Sequence, residues 1–136
     1  MMQNSGFLEI EHTADWAIKV WAPDLEELLI VAAEAMYSLS NTVKEKAGVT
    51  QVTFELKYFD PESLLVDFLS ELLFIGETKN LAAESYKINF IHDLVIVEIF
   101  TAKITKRKKE IKAVTYYDLE IVQTDHGLQT MLVFDV

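Results

Sequence analysis

The feature that most constrains this chain is a change of apolar period between Val49 and Ile75. Val52, Phe54, Leu56 and Tyr58 alternate with Thr53, Glu55 and Lys57. That period of two predicts a strand over Val49–Phe59 with one buried and one wet face. Asp60-Pro61 follows, an N-cap aspartate with proline at the first helical position. Leu64, Leu65, Phe68, Leu69, Leu72 and Leu73 then recur at helical spacing, and Val66, Phe74 and Ile75 widen the stripe. A helix with so little polar surface, mainly Asp67, Ser70 and Glu71, must be covered nearly all round and is expected at the centre of the fold.

The remaining elements follow from the same two periods. Phe7–Ile10 and Trp16–Trp21 are predicted strands, separated by Glu11-His12-Thr13-Ala14-Asp15. Asp24 caps a first helix, with Glu27 at capping-box spacing and an apolar stripe of Leu25, Leu28, Leu29, Ala32, Met36 and Leu39. Tyr86–Ile91 and Leu94–Ala102 form a hairpin across His92-Asp93, and a basic loop follows. Ile111–Gln123 and Leu128–Val136 form another hairpin around Asp125-His126-Gly127. The predicted order is ββ-α-β-α-ββ-ββ. This is an α+β class chain, 1–136 as one domain, with two helices on one face of a mostly antiparallel sheet.

Composition removes whole classes of chemistry. The chain of 136 residues has no cysteine, which excludes disulfides, thiolate metal sites and cysteine nucleophiles. Gly-rich phosphate loops, dinucleotide fingerprints, G-x-S-x-G elbows and H-E-x-x-H pairs are missing as well. Met1–Gly6 has neither the basic start nor the apolar run of a secretory signal, and no apolar stretch is long enough to span a membrane, so a cytoplasmic location is expected. A net charge of −10 argues against a broad nucleic-acid-binding surface. Lys103, Lys106, Arg107, Lys108, Lys109 and Lys112 are the local exception, within ten consecutive positions. Such a run solubilises an acidic protein and blunts strand edges, or else contacts RNA or protein. Lys112 differs from the others, because it alternates with Ile111 and Ala113 and should project from one sheet face.

Two acidic residues have unusual contexts. Asp15 closes a polar interruption between apolar strand residues, and Asp135 stands beside the α-carboxylate of Val136. Hard divalent cations, Ca²⁺, Mg²⁺ or Mn²⁺, take oxygen ligands of this kind. Three carboxylates brought together would repel one another, and a bound cation would relieve that repulsion. Each residue also has an ordinary reading: a strand-end aspartate is commonly solvated, Asp15 suits a turn, and His12 suits packing. Removing Val136 is expected to alter stability little.

At the level of motifs the chain resembles the archease family. Glu11-His12-Thr13-Ala14-Asp15 is similar to that family's opening motif, and Pro61 to Leu73 to its leucine-rich second helix. Glu110-Ile111-Lys112-Ala113-Val114-Thr115-Tyr116 is similar to its E-[VI]-K-A-[VI]-T-Y signature, and Asp135-Val136 to its terminal Asp-Ile. The four motifs occur in order across almost the whole chain. The resemblance implies a protein cofactor rather than an enzyme. Its partner would be an RtcB-type RNA ligase, whose GTP-dependent guanylylation and multiple turnover it would promote in tRNA splicing or RNA repair. By the same resemblance Asp15, Asp135 and Val136 hold a divalent metal, with His12 and Lys112 as candidate contacts to the ligase or to phosphate. RNA itself would be touched only indirectly. The alternatives are a metal-independent chaperone or scaffold for RNA-modifying enzymes, and a stand-alone metal-dependent hydrolase. The chain departs from the family pattern at Trp16, at Tyr117 and over Ile99–Lys109, which bears on the partner surface and leaves the three metal residues intact.

Overall fold

The computed structural model describes residues 4–10, 16–45 and 50–136. The expected Glu11–Asp15 motif, with His12 and Asp15, therefore lies outside the described residues, as does Gly48. Capping aspartates begin both helices as predicted. In α1 (Leu25–Leu39) the Glu27 amide donates to Asp24 Oδ1 at 2.9 Å. In α2 (Pro61–Lys79) the Ser63 amide donates to Asp60 Oδ1 at 2.7 Å. Each cap satisfies an amide left without an intrahelical partner in the first turn. Helix α2 stops at Asn80, which takes φ 59 in place of a glycine and donates its amide to the Gly76 carbonyl.

The strands are β1 (Gly6–Ile10), β2 (Trp16–Ala22), β3 (Val43–Lys44), β4 (Thr50–Lys57), β5 (Leu81–Ile91), β6 (Leu94–Lys106), β7 (Ala113–Thr115), β8 (Val122–Thr124) and β9 (Gly127–Asp135). All their pairings are antiparallel, and they divide into two sheets where the sequence suggested one. The five-stranded sheet runs β1-β2-β9-β7, with β8 also on β9. In the four-stranded sheet β6 is central, flanked by β4 and β5, and β3 pairs with its far end. One core serves both sheets. It joins Ile18 and Val20 of β2, Leu132 and Phe134 of β9, Val95, Val97 and Ile99 of β6, and the apolar faces of both helices.

Several boundaries differ from the periodicity, each for a local reason. Strand β5 starts at Leu81, five residues before the predicted Tyr86, because a bulge between Ala83 and Ser85 breaks its alternation. The predicted strand Ile111–Gln123 is two short ones, β7 and β8, with an excursion between them. That excursion is tied to the start of α2, since the Ile121 amide donates to Glu62 Oε2 at 2.8 Å. The basic segment is partly strand, because β6 extends through Lys106. Phe74, assigned to the apolar stripe of α2, is 58% exposed on the side of Asp67 and Ser70.

Candidate functional site

Strand β9 brings β2, from the first part of the chain, beside its last residues. It lies between β2 and β7, with Trp16 opposite Phe134 and Ala113 opposite Asp135. Phe134 is wholly buried, so the pleat turns the next side chain, Asp135, to solvent. Val136 turns back and packs, half-buried, against the core. The Lys112 amide donates to the Asp135 carbonyl oxygen at 2.7 Å, extending the β7–β9 pairing by one residue. Ile111 is buried and Lys112 exposed as alternation predicts, but Ala113 is exposed too, so the pattern lapses at the sheet edge. Asp135 and Lys112 are thus brought to one edge of the five-stranded sheet. The chain on the other side of β9 begins at Trp16, next in sequence to Asp15.

The basic loop closes over this end of the sheet. The Lys108 and Lys109 amides both donate to the Ser40 carbonyl oxygen at the end of α1, at 3.0 and 3.1 Å. The Lys109 ammonium sits 3.3 Å from the centre of the Trp16 ring, a cation–π contact. Sequence reasoning identified the run of cations but missed Ser40 and Trp16 as its anchors. Contacts between residues so far apart in the chain leave no periodic signal.

A second concavity lies where the end of α1 meets the β5 bulge, a cleft of about 520 Å³. The bulge's own polar groups are answered there. The Ala83 amide donates to the Tyr37 hydroxyl at 3.1 Å, and Lys44 donates to the Ala83 carbonyl at 3.4 Å and pairs with Glu84 at 3.4 Å. Burial pushes the Tyr37 hydroxyl up to about 12, against the lowering effects of the Ala83 hydrogen bond and nearby Arg107. Tyr86 is also pushed up, first by burial and then by Tyr37, Glu34 and Glu84. Its hydroxyl is buried with no hydrogen-bond partner among the described residues.

Among the described residues, no group of three or more His, Cys, Asp or Glu side chains is arranged to hold a metal. Of the expected ligands Asp135 and Val136 are among those residues, and Asp15 lies outside them. The expected donors, carboxylate oxygens and nothing softer, are of the kind that a hard divalent cation takes.

Residues 7–136 match the model of the archease protein family (MTH1598/TM1083). The chain belongs to the archease family. The archease of Methanosarcina barkeri is 32% identical, over 98% of each chain. That of Pyrococcus furiosus is 29% identical, over 86% of this chain and 88% of its own. Two solved structures share the archease fold seen here. One is the crystal structure of an archease from Thermotoga maritima, described as a possible chaperone, with TM-score 0.71 and 26% identity over 93% of this chain and 94% of that one. The other is the solution structure of Methanobacterium thermoautotrophicum protein 1598, with TM-score 0.74 and 29% identity over 96% and 99%. No archease helix among the described residues here is long and apolar enough to cross a membrane.

Proposed function

We propose that this archease is a cytoplasmic activation factor for an RtcB-type RNA ligase, promoting its GTP-dependent guanylylation and multiple turnover through a carboxylate-bound divalent metal. The observation that carries the reading is the register of β2 on β9. Trp16, the sequence neighbour of Asp15, stands opposite Phe134, the neighbour of Asp135. The described neighbours of the two acidic residues, Trp16 and Phe134, thus share one rung of the sheet although 118 positions apart in the chain. Asp15, Asp135 and the carboxylate of Val136 would hold the cation, and three such ligands leave coordination positions open. When bound, the metal supplies positive charge of the kind that assists nucleotidyl transfer. The chain's own contribution is positional. The Lys112–Asp135 backbone bond fixes the edge strand, Val136 is held by its side chain against the core, and Lys112 is free to meet a phosphate or an acidic ligase surface. His12 remains a candidate for the same contact.

The test is guanylylation and ligation by a purified RtcB-type ligase with GTP and Mn²⁺, with and without this protein. Higher rates with the protein support the reading, and equal rates in both arms sink it. Calorimetric titration with Mn²⁺, Mg²⁺ and Ca²⁺ addresses the metal separately, with Asp15→Asn and Asp135→Asn each expected to weaken binding at least tenfold. Variants that lose the metal yet retain full assistance would favour a metal-independent chaperone or scaffold; the Thermotoga protein is described as a possible chaperone.

A further inference from the structure

Half of the twelve Lys and Arg residues of this chain lie between Lys103 and Lys112, in a protein of net charge −10. The structure divides the members of this run by role. Lys109 is occupied by the Trp16 ring. Arg107 lies over the last turns of α2, its Nη1 3.5 Å from where a side chain on Gly76 would begin. These two are anchors, and with the Ser40 hydrogen bonds they hold the loop in one shape. Lys103, Lys106, Lys108 and Lys112 are left exposed, with no ion pair among the described residues, and of these Lys103 stands back within the paired stretch of β6, opposite Leu81. Cations that served only solubility would not need a loop pinned at α1, α2, β2 and β9.

Just beyond Lys112, across the three residues of β7, come Tyr116 and Tyr117, which are 58% and 61% exposed. Their backbone is ordered: the Leu119 amide donates to the Tyr116 carbonyl at 3.1 Å, and the Tyr117 amide to Thr115 Oγ1 at 3.3 Å. Two large rings side by side in the chain are thus left in water, four and five residues on from Lys112. Four residues of extended chain from Lys112 to Tyr116 span roughly 13 Å, the reach of a few nucleotides.

We propose that Lys106, Lys108 and Lys112, with the rings of Tyr116 and Tyr117, bind single-stranded nucleic acid directly. The lysines meet successive phosphates and the rings stack on bases. An acidic protein surface would satisfy the cations and leave the rings unused, so the aromatic pair favours the nucleic acid. Acidity elsewhere on the molecule repels phosphate and confines the strand to this edge. The inference does not rest on ligase activation, which is measured in a different assay.

The experiment is fluorescence anisotropy of the full chain with a fluorescein-labelled single-stranded uridine oligonucleotide. Binding is expected at about 50 mM salt and should weaken toward about 200 mM, with a log–log slope near −2 for three phosphates. Lys106→Gln with Lys108→Gln should weaken binding about tenfold and bring the slope to about −0.7, for one remaining phosphate. Tyr116→Ala with Tyr117→Ala should weaken binding roughly fivefold or more at unchanged slope, whereas Tyr117→Trp keeps it. Circular dichroism confirms that each variant is folded. Absence of binding at low salt overturns the proposal. So does displacement by polyglutamate as effective as by RNA with the tyrosine variants unaffected, an outcome that would make this edge a dock for acidic protein.

Discussion

Tyr37 and Tyr86 stand beside one cleft and have opposite hydrogen-bond circumstances. The Tyr37 hydroxyl accepts the Ala83 amide, next to the β5 bulge. Tyr37→Phe orphans that amide and should cost about 1–3 kcal/mol in urea denaturation. The Tyr86 hydroxyl is buried with no partner among the described residues, so Tyr86→Phe removes a desolvated oxygen and should be neutral or stabilise by about 1 kcal/mol. Equal losses for the two variants would contradict this account. The same pair sets a pH dependence. Both hydroxyls are raised above the ordinary tyrosine value of 10.0, chiefly by burial, so the folded state favours their neutral forms. Their contribution to stability is intact below pH 10 and declines as pH rises from there through 12. Denaturation midpoints should therefore fall between pH 10 and pH 12, and Tyr86→Phe should flatten that fall.

At the scale of elements, the β8–β9 hairpin shows how tightly the sheet is closed. Asp125-His126 makes the turn, and Thr124 pairs with Gly127. Gly127 takes φ 126, where side chains are strained, and a Cβ there would collide with the Ala22 carbonyl and lie 2.7 Å from Pro23 Cα. Glycine is needed for the backbone angle and for the close approach of the β2 end. Gly127→Ala should destabilise by at least about 2 kcal/mol, read as a lowered thermal midpoint, and a neutral result would mean that the turn relaxes freely. The other hairpin, β5–β6, manages without glycine because His92 accepts φ 55. Capping aspartates, apolar helix stripes and both hairpin positions were legible from sequence because each is a local pattern over a few residues. The bulge in β5, the two-residue β3 and the split of Ile111–Gln123 were not, since they depend on a neighbour's position rather than on period.

At the scale of the whole molecule, the shared core makes the two sheets one cooperative unit. Trp16 and Trp21 report on the five-stranded sheet, while far-UV circular dichroism reports heavily on the helices, so both signals should give coincident denaturation curves. Separate transitions would show that the sheets fold apart. The chain end belongs to the same unit. Val136 was expected to matter little for stability, but its side chain packs against the core, so deleting it should cost about 1 kcal/mol. Amidating its carboxylate leaves that packing intact and is the cleaner test of metal binding. By itself the sequence determined the two helices, most strands, the acidic residues worth testing and the family, because period, caps and short motifs are written in neighbouring residues. Tertiary structure alone decided that there are two sheets, that Trp16 stands opposite Phe134, and that the basic loop is clamped by Ser40 and Trp16. Those relations join segments up to 118 residues apart, and their register comes from burying all the apolar faces at once, which no local stretch of chain encodes.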